Sequence, residues 1–228
     1  MADPWDALSA ISDHLPRASE GVVLCLAEAC ASHTGARNVQ VDASMGSVLE
    51  CAACLDIAAI KGMVAADRAL RFKIELRDIF RMLVGLKRSW DATGVHEGPI
   101  PYGSDERPET QGQVFFHDKL DVYQAALDIV RWAHGCDAIR QLPRRQLRGF
   151  DALLTSIVLN LAEGNGRFSR DDHRRFVETS HCAAIKVATH LDLWLQQKML
   201  PLGKVKEAHD LLVRVVSMTG ALVERLHG

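Results

Sequence analysis

Aromatic residues and excess charge are both scarce in this sequence. Only 6% of the 228 residues are aromatic, only two are tyrosine, and most Val and Ile residues lie in patterns of helical period, which argues against a β-rich fold. The formal net charge is -2, so binding to nucleic acid or to an anionic membrane would have to come from a local patch. Apolar residues make up 48% of the chain, an ordinary globular balance that suffices for one large or two modest domains.

Segments for export, disulfides and thiol-bound metal are also missing. The start, MADPWDALSA, has neither the basic nor the apolar region of a signal peptide. The longest apolar stretch, residues 21–31, is interrupted by Glu28 and is too short to span a bilayer. Cys51 and Cys54 lie at helical spacing without a second such pair. This usage is typical of reduced, buried thiols, so we expect a cytoplasmic protein whose six cysteines bind no metal.

Motifs for catalysis are equally scarce. We find no glycine-rich phosphate loop, nucleophile elbow or His-Glu-x-x-His. The pair Gly164 and Gly166 lies between two predicted helices, which indicates a helix cap rather than a phosphate cradle. Glu178 and His181 have the Glu-x-x-His spacing of dinuclear metal bundles, but that chemistry needs a second such pair and two further Glu residues on facing helices. We therefore expect no enzyme activity, no cofactor and no metal.

Helical periodicity is the main positive signal. Asp3 and Pro4 predict the start of the first helix, and a turn at residues 33–37 separates it from the second. Gly62 is placed to cap the end of the second helix. Apolar or small residues then recur at three- and four-residue steps, as in a helical bundle. The three predicted seams of the first half are Leu8, Ile11, Leu15, Ala18, Val22, Cys25, Ala29; Val41, Met45, Val48, Ala52, Leu55, Ala59; and Phe72, Leu76, Ile79, Leu83, Leu86, Trp90.

Residues 91–113 break every periodicity with Pro, Gly and polar residues, which predicts an exposed linker. Four helices are predicted after it: one with a seam at Phe116, Leu120, Tyr123, Leu127 and Val130, and others over residues 143–162, 169–198 and 204–226. Ser169 and Asp172 predict a capping box at the third. The predicted organisation is a three-helix half (1–92), a linker (93–114) and a four-helix half (115–228), both of antiparallel up-down helices.

The two halves repeat each other. A sequence offset of 136 carries the third seam of the first half onto Ala208, Leu212, Val215, Thr219, Leu222 and Leu226, and Leu55-Asp56 onto Leu191-Asp192. An offset of 135 carries Val23 to Glu28 onto Val158 to Glu163. Because the first half lacks a counterpart of residues 116–133, we expect a groove on residues 1–92 that the second half, another subunit or a partner protein's helix covers.

Three motifs carry a family resemblance: LDVYQAA at 120–126, SIVLNLAEGNGR at 156–167, and the stretch from Ser169-Arg170 to Arg175-Phe176. They resemble the four-helix-bundle proteins encoded in intervening sequences of bacterial 23S ribosomal RNA genes, a group that includes the accessory variability determinant (Avd) of diversity-generating retroelements. In the first half, MGSVLECA at 45–52 and IFRMLVGL at 79–86 are similar to the family's last two helices. The resemblance implies ring-like oligomers, commonly pentamers, and for the retroelement branch binding of nucleic acid and a reverse transcriptase through basic surfaces.

An arginine-rich region is the first candidate site. Arg140, Arg144 and Arg148 are predicted on one helical face with Arg145 beside it, and Arg167, Arg170, Arg174 and Arg175 gather at the next helix start. Such a cluster would contact phosphates of a nucleic acid. The alternative is a solvated or subunit-contacting surface, partly neutralised by Asp137, Asp151, Asp171 and Asp172 and without exposed aromatics for base stacking.

A polar cluster inside the second half is the other candidate. Asn160 and His181 fall on seam positions and Glu163 lies one turn beyond Asn160, which predicts hydrogen-bonded core residues that fix helix register. Together the patterns favour a non-enzymatic, oligomeric helical scaffold or adaptor that binds a protein partner. The alternative is an accessory RNA- or DNA-binding protein of the retroelement type.

Overall fold

The computed structural model describes residues 9–32, 34–91, 113–167 and 169–227. Within these ranges the protein is all-α, as predicted, with no strand. The predicted start at Asp3-Pro4, Leu8 and most of the linker lie outside the described residues. The helices are α1 (Ile11–Ala31), α2 (Thr34–Ile60), α3 (Ala66–Asp91), α4 (Asp121–Gly135), α5 (Asp137–Arg140), α6 (Arg144–Asn165), α7 (Arg170–Gln196) and α8 (Leu202–His227), with a short 3-10 helix at Phe116–Lys119.

Helix α2 lies at the centre of the molecule. It packs against α1 and α3 of the first half and also against α4 and α6 of the second. Its Cys54 and Ile57 belong to the same hydrophobic core as Tyr123 of α4 and Leu154 of α6. The first and second halves therefore share one continuous core.

A second, smaller core closes the first half. It contains Met45 and Leu49 of α2 and Phe80 and Leu83 of α3, and Phe115 from beyond the linker packs into it. The rings of Phe80 and Phe115 meet edge to face with centroids 6.2 Å apart. The chain thus covers part of its own first half with residues of the second.

The predicted repetition has counterparts in the helices themselves. Helices α2 and α7 are both 27 residues long and α3 and α8 are both 26, and both pairs begin at positions related by the same offset, Thr34 with Arg170 and Ala66 with Leu202. Ser44 donates a hydrogen bond to the Val22 carbonyl (2.8 Å), and Ser180 donates the corresponding bond to the Ile157 carbonyl (3.0 Å). The same side chain therefore fixes the same helix pair in both halves.

Several local predictions are confirmed. Gly62 has a positive φ of 70° directly after α2, as a capping glycine should. Of the predicted capping box at the start of α7, the N-cap bond is confirmed: the Ser169 hydroxyl accepts a hydrogen bond from the Asp172 amide (3.3 Å). Helix α2 begins already at Thr34, however, so the predicted turn at 33–37 is shorter than expected.

Two aromatic assignments were wrong. Phe116 is exposed, whereas its neighbour Phe115 is buried, because the chain is in a 3-10 helix there and not in the α-helical phase that the seam assumed. Phe72, the first residue of the third seam, is also exposed, and Phe80 takes the core position instead. Helix α5 was not predicted and leaves Arg140 on a separate helix from Arg144.

By length and composition, α2 is the one described helix that is apolar enough to cross a membrane. Two thirds of its apolar window, 67%, is buried inside the protein. A core helix of a soluble protein has the same character, and the central position of α2 accounts for its hydropathy.

Candidate functional site

The contact between α2 and α6 joins the two halves through closely fitted residues. A side chain at Gly166 would overlap the Leu49 side chain, and one at Gly46 would lie 3.0 Å from the Arg167 guanidinium. Gly166 is therefore needed for close approach, although its backbone conformation at the end of α6 is an ordinary right-handed one. Gly164 similarly leaves room for Phe176 of α7. This explains the two glycines of the motif at 156–167 as packing residues.

A buried ion pair anchors the other end of this contact. The Lys61 ammonium binds the Asp151 carboxylate, and their side chains are only 2% and 1% exposed. Lys61 also donates to the Ser9 hydroxyl (2.9 Å), and Asp151 accepts from the Ala10 amide (2.8 Å). Asp151 was predicted to neutralise a solvated surface, and this was wrong because its carboxylate is fully committed inside the protein.

Helix α1 is the counterpart of α6 but lacks its cover. Val23 and Leu24 are 65% and 60% exposed, whereas the matching Val158 and Leu159 of α6 are 0% and 4% exposed. The exposed surface keeps the chemistry of the buried one, with small residues and a glutamate at the same positions. We call it the α1 face, and it consists of Val23, Leu24, Ala27, Glu28 and Ala31, which match Val158, Leu159, Ala162, Glu163 and Gly166.

Helix α7 is the counterpart of α2 and likewise exposes positions that its counterpart buries. Ile185 and Leu193 are 46% and 49% exposed, whereas the matching Leu49 and Ile57 of α2 are fully buried. The α7 face consists of Cys182, Ile185, Lys186, Thr189 and Leu193, all exposed, which match Gly46, Leu49, Glu50, Ala53 and Ile57. Each half therefore carries two such faces, and among the described helices only the α2 and α6 pair is joined within the chain.

The predicted arginine cluster is divided between two ends of the second half. Arg144, Arg145 and Arg148 lie at the start of α6, whereas Arg167, Arg170, Arg174 and Arg175 lie beyond its end. Helix α6 has 22 residues and is about 33 Å long. The structure therefore contains two separate basic groups.

These two groups differ in how far they are neutralised. In the group beyond α6, Arg167 binds Glu163, Arg174 lies 3.3 Å from Glu178, and Arg175 lies 3.7 Å from Asp172. Arg170 donates to the backbone carbonyl of Arg225. Arg144, Arg145 and Arg148 are exposed, and no acidic side chain among the described residues pairs with them. The start of α6 is thus the more available of the two cationic surfaces.

The predicted core polar cluster does not form as one network. Asn160 donates to the Ser156 carbonyl (2.7 Å), Glu163 binds Arg167, and His181 Nδ1 lies 2.8 Å from the Thr219 hydroxyl. Each of the three residues is half-buried and has its own partner. Burial raises the pKa of Glu163, and the adjacent Arg167 opposes that rise.

The principal buried polar network was missed in the sequence. Lys73 of α3 donates to both oxygens of Asp56 (2.8 and 2.9 Å) and to Asp118 (2.8 Å), and the Tyr123 hydroxyl donates to Asp56 (2.8 Å). Asp118 also accepts from the Val114 and Phe115 amides, both at 2.8 Å. This network ties α2, α3 and α4 to the 3-10 helix. Its one sequence signal was Asp56, which recurs as Asp192 in the second half.

The same network contains the metal-ligand group found among the described residues: Asp56, His117 and Asp118, whose ligand atoms lie within 4.8 Å of one another. The Lys73 ammonium already lies between the two carboxylates and supplies the positive charge that a metal ion would bring. His117 is completely buried, and burial lowers its pKa to about 3. We interpret the group as an ion-pair network of the fold.

The second Glu-x-x-His pair that a dinuclear metal site needs was overlooked in the sequence. It is Glu224 and His227 of α8, which have the same spacing as Glu178 and His181. The Arg174 guanidinium lies 3.1 Å from His227 and 3.3 Å from Glu178, and His181 binds Thr219 instead. A guanidinium therefore lies where a metal ion between these helices would have to bind.

The six cysteines are all free, but they are not all buried as predicted. Cys51, Cys54 and Cys136 are buried, Cys25 is half-buried, and Cys30 and Cys182 are exposed. Burial, assisted by Glu50, raises the pKa of Cys51 to about 12, so this thiol is unreactive.

The expected groove on the first half is polar where a fourth helix would lie. In the second half, Trp132 and Asp128 of α4 contact Glu207 and Arg214 of α8. The residues of α3 that match Glu207 and Arg214 are Arg71 and Asp78. Arg71 pairs with Asp67 (3.2 Å) and Asp78 with Arg77 (3.5 Å), both on α3 itself. This surface of α3 is suited to water.

Comparisons with known proteins add no further constraint. No known protein family, no curated protein and no solved structure matches this sequence. The features that bear on function are therefore the α1 and α7 faces and the charged surfaces.

Proposed function

We propose that the protein is a non-enzymatic scaffold that assembles head to tail, with the α7 face of one copy packed on the α1 face of the next. The observation that carries the proposal is the exposure of the apolar residues on these two faces, when the matching Val158, Leu159, Leu49 and Ile57 are buried in the core where α2 packs on α6. The internal contact serves as a template for the contact between copies.

Residue sizes on the two open faces are complementary in the way the template requires. In the internal contact, Gly46 is opposite the large Arg167. The matching residues on the open faces are Cys182 and Ser32, so that a larger residue replaces Gly46 where a smaller one replaces Arg167. The pair Leu49 and Gly166 becomes Ile185 and Ala31, so the added methyl group of Ala31 has to be accommodated by a small shift between the copies. Lys186 on the α7 face also complements Glu28 on the α1 face.

The energetic scale favours a closed assembly over a dimer. Full burial of a Val, Leu or Ile side chain stabilises by about 1.5–3 kcal/mol, and Val23, Leu24, Ile185 and Leu193 are each already about half buried. These four residues would then contribute about 3–6 kcal/mol, which is at or below the roughly 4–15 kcal/mol cost of association. Closing a ring adds one more contact without a further association step, so a ring offsets this cost better than an open dimer does.

The contact is heterologous, since two different faces meet. Such contacts generate rings when the rotation closes and filaments when it does not. Each chain brings two halves, so a closed ring of this protein holds an even number of halves. A five-fold arrangement of single bundles, which the family resemblance implies, would not be available to it.

Native mass spectrometry at near-physiological salt tests the assembly. We expect one oligomeric mass for the parent protein and a monomer for V23E/L24E, whose substituted residues are exposed in the single chain. The control is Val213→Glu, a similarly exposed residue of α8 outside both faces, which should leave the oligomer unchanged. A monomeric parent protein would contradict the proposal.

Cysteine cross-linking tests the register of the same contact. A β-carbon at Gly166 would lie 3.5 Å from Leu49 Cγ, which puts the two β-carbons no more than about 5 Å apart, close to disulfide spacing. The matching pair is Ala31 and Ile185. In a C30S/C182S background, which removes the two exposed native thiols, we expect A31C/I185C to form disulfides between copies under mild oxidation, whereas A31C/V213C should not.

Within this proposal, the assembled scaffold holds a macromolecular partner, and a protein partner is the first candidate. Nucleic acid is the second, favoured by one observation: Arg144, Arg145 and Arg148 are exposed and pair with no acidic side chain in the described part of the chain, while Asp151 is withdrawn into the core. Three such cations in the first two turns of one helix form a basic surface of the kind that contacts phosphates.

Fluorescence anisotropy with a labelled single-stranded RNA separates the two partners. If nucleic acid is the partner, R144E/R148E should abolish binding, and the parent protein's affinity should fall steeply as salt rises. The matched control is R170E/R174E, because those arginines are already engaged in hydrogen bonds and ion pairs. Salt-independent RNA binding that survives R144E/R148E would exclude the basic surface, and absence of RNA binding would leave a protein partner.

A further inference from the structure

The contact that is made within the chain contains a buried charged pair that its open counterpart lacks. Lys61 at the end of α2 is opposite Asp151 of α6, and both side chains are excluded from water. The matching residues are Gln197 at the end of α7 and Pro16 on α1, which carry no charge. Both are exposed in the single chain.

We infer that these two pairs act as a pairing code, in which the charged pair Lys61 and Asp151 and the neutral pair Gln197 and Pro16 decide which faces join. This inference rests on the proposed head-to-tail assembly. It names the residues that make α7 of one copy select α1 of the next and keep it from displacing α2 on α6.

The selectivity follows from the four ways in which the faces can meet. The α2 face on α6 pairs Lys61 with Asp151, and the α7 face on α1 brings together two uncharged residues. The α2 face on α1 would bury Lys61 against Pro16, and the α7 face on α6 would bury Asp151 against Gln197. Each of the two mixed contacts leaves a buried charge without its partner, which is strongly unfavourable.

The otherwise similar chemistry of the faces makes such a code necessary. Val158, Leu159, Ala162 and Glu163 of α6 recur without change as Val23, Leu24, Ala27 and Glu28 of α1. Packing of these residues alone discriminates little between the two surfaces. Rejection of the wrong surface therefore depends on a repulsive element as well as on attraction.

Two exposed residues allow the code to be tested without disturbing the fold. Gln197→Lys gives the α7 face the charge of the α2 face, and its new ammonium would be buried against Pro16 in the assembly. We expect at least a tenfold loss of assembly affinity by native mass spectrometry and sedimentation, with an unchanged melting temperature of the single chain. P16D/Q197K recreates the Lys61–Asp151 pair between copies and should restore assembly.

Two controls isolate the charge from other effects. Pro16→Ala removes the proline of α1 without adding charge and should assemble like the parent protein. Ser217→Lys adds a lysine to an exposed position of α8 outside both faces and should also have no effect.

The outcomes separate this inference from the proposal on which it rests. If the parent protein is monomeric, the head-to-tail proposal fails and the code fails with it. If the parent protein assembles and Q197K assembles equally well, or if P16D/Q197K fails to restore assembly, the pairing code alone is wrong.

Discussion

Gly62 and Lys198 occupy matching positions in the two halves and have nearly the same left-handed backbone conformation, with φ values of 70° and 57°. Each follows the last turn of a long helix, α2 or α7. The Met63 amide donates to the Ala58 carbonyl (2.9 Å), and the Met199 amide donates to the Trp194 carbonyl (2.8 Å). This bond closes the same helix end in both halves, although only one of them has the glycine that suits it.

Lys198 lies at a left-handed position that suits glycine better. Lys198→Gly should stabilise the protein by roughly 1 kcal/mol, because a lysine side chain is strained at positive φ and glycine is not. Gly62→Ala should destabilise it by a similar amount. Thermal unfolding followed by circular dichroism measures both, and a lower melting temperature for K198G would contradict the assignment of Lys198 to this cap.

Gly166 and Gly149 provide a matched pair within α6 and its cap. Gly166→Ala should destabilise by about 1–3 kcal/mol, because the added methyl group meets the Leu49 side chain. A side chain at Gly149 would meet nothing within 4 Å, so Gly149→Ala should stabilise by about 0.5–1 kcal/mol through helix propensity. Urea unfolding should therefore give shifts of opposite sign, and L49A should reduce the cost of G166A.

His117 makes the stability depend on pH. Burial lowers its pKa to about 3, so between its ordinary value near 6.5 and pH 3 the unfolded chain binds a proton that the folded protein does not. Stability is therefore complete above about pH 6.5 and falls by up to about 1.4 kcal/mol per pH unit below it. The lowered pKa of Asp118 adds a loss of the same sign at still lower pH.

Replacing His117 should weaken the loss of folding stability below pH 6.5. The His117 ring stacks on Phe115 with centroids 5.4 Å apart, and neither ring nitrogen has a hydrogen-bond partner among the residues that the structure describes. His117→Phe keeps the stacking and removes the titration, so its melting temperature should vary less than the parent's between pH 6.5 and 4. His227→Asn, at an exposed histidine, should retain the parent's slope.

Lys73 should be among the costliest charged residues to remove. Its ammonium has a raised pKa, because Asp56 and Asp118 outweigh the effect of burial. Lys73→Met leaves two buried carboxylates facing each other and should cost about 3–5 kcal/mol. Lys87→Met provides the comparison, since Lys87 and Asp42 form a partly buried pair, with side chains 16% and 23% exposed, and its loss should cost about 1–3 kcal/mol. Equal losses in denaturant unfolding would show that the network around Lys73 contributes nothing beyond a partly buried pair.

The parts of the structure that depend on local sequence were the most predictable. Helical periodicity predicted the all-α class, and Gly62 and Ser169 marked helix ends through their backbone chemistry. The buried pair Lys61 and Asp151 was not predictable in the same way, because its residues are 90 positions apart and each has the appearance of a surface charge. Asp151 was accordingly assigned to the wrong environment.

The α1 and α7 faces were also predictable only in part. The internal repetition of the sequence matched the positions of the two halves, but it did not show which copy of each position is buried. That distinction depends on α2 packing against α6, a tertiary contact that leaves Val23 and Ile185 exposed. The arginine groups were separated for a related reason, since neighbours in sequence across a helix of 22 residues end far apart in space.

The central position of α2 has a consequence for synthesis on the ribosome. Its last residue, Ile60, is made well before the segments that cover it, which are Phe115, α4 and α6. At roughly 5–20 residues per second, the most apolar helix of the chain waits several seconds for its partners. Chaperones that bind exposed apolar segments would meet α2 during this interval, so the yield of folded protein should be sensitive to translation speed between residues 60 and 165.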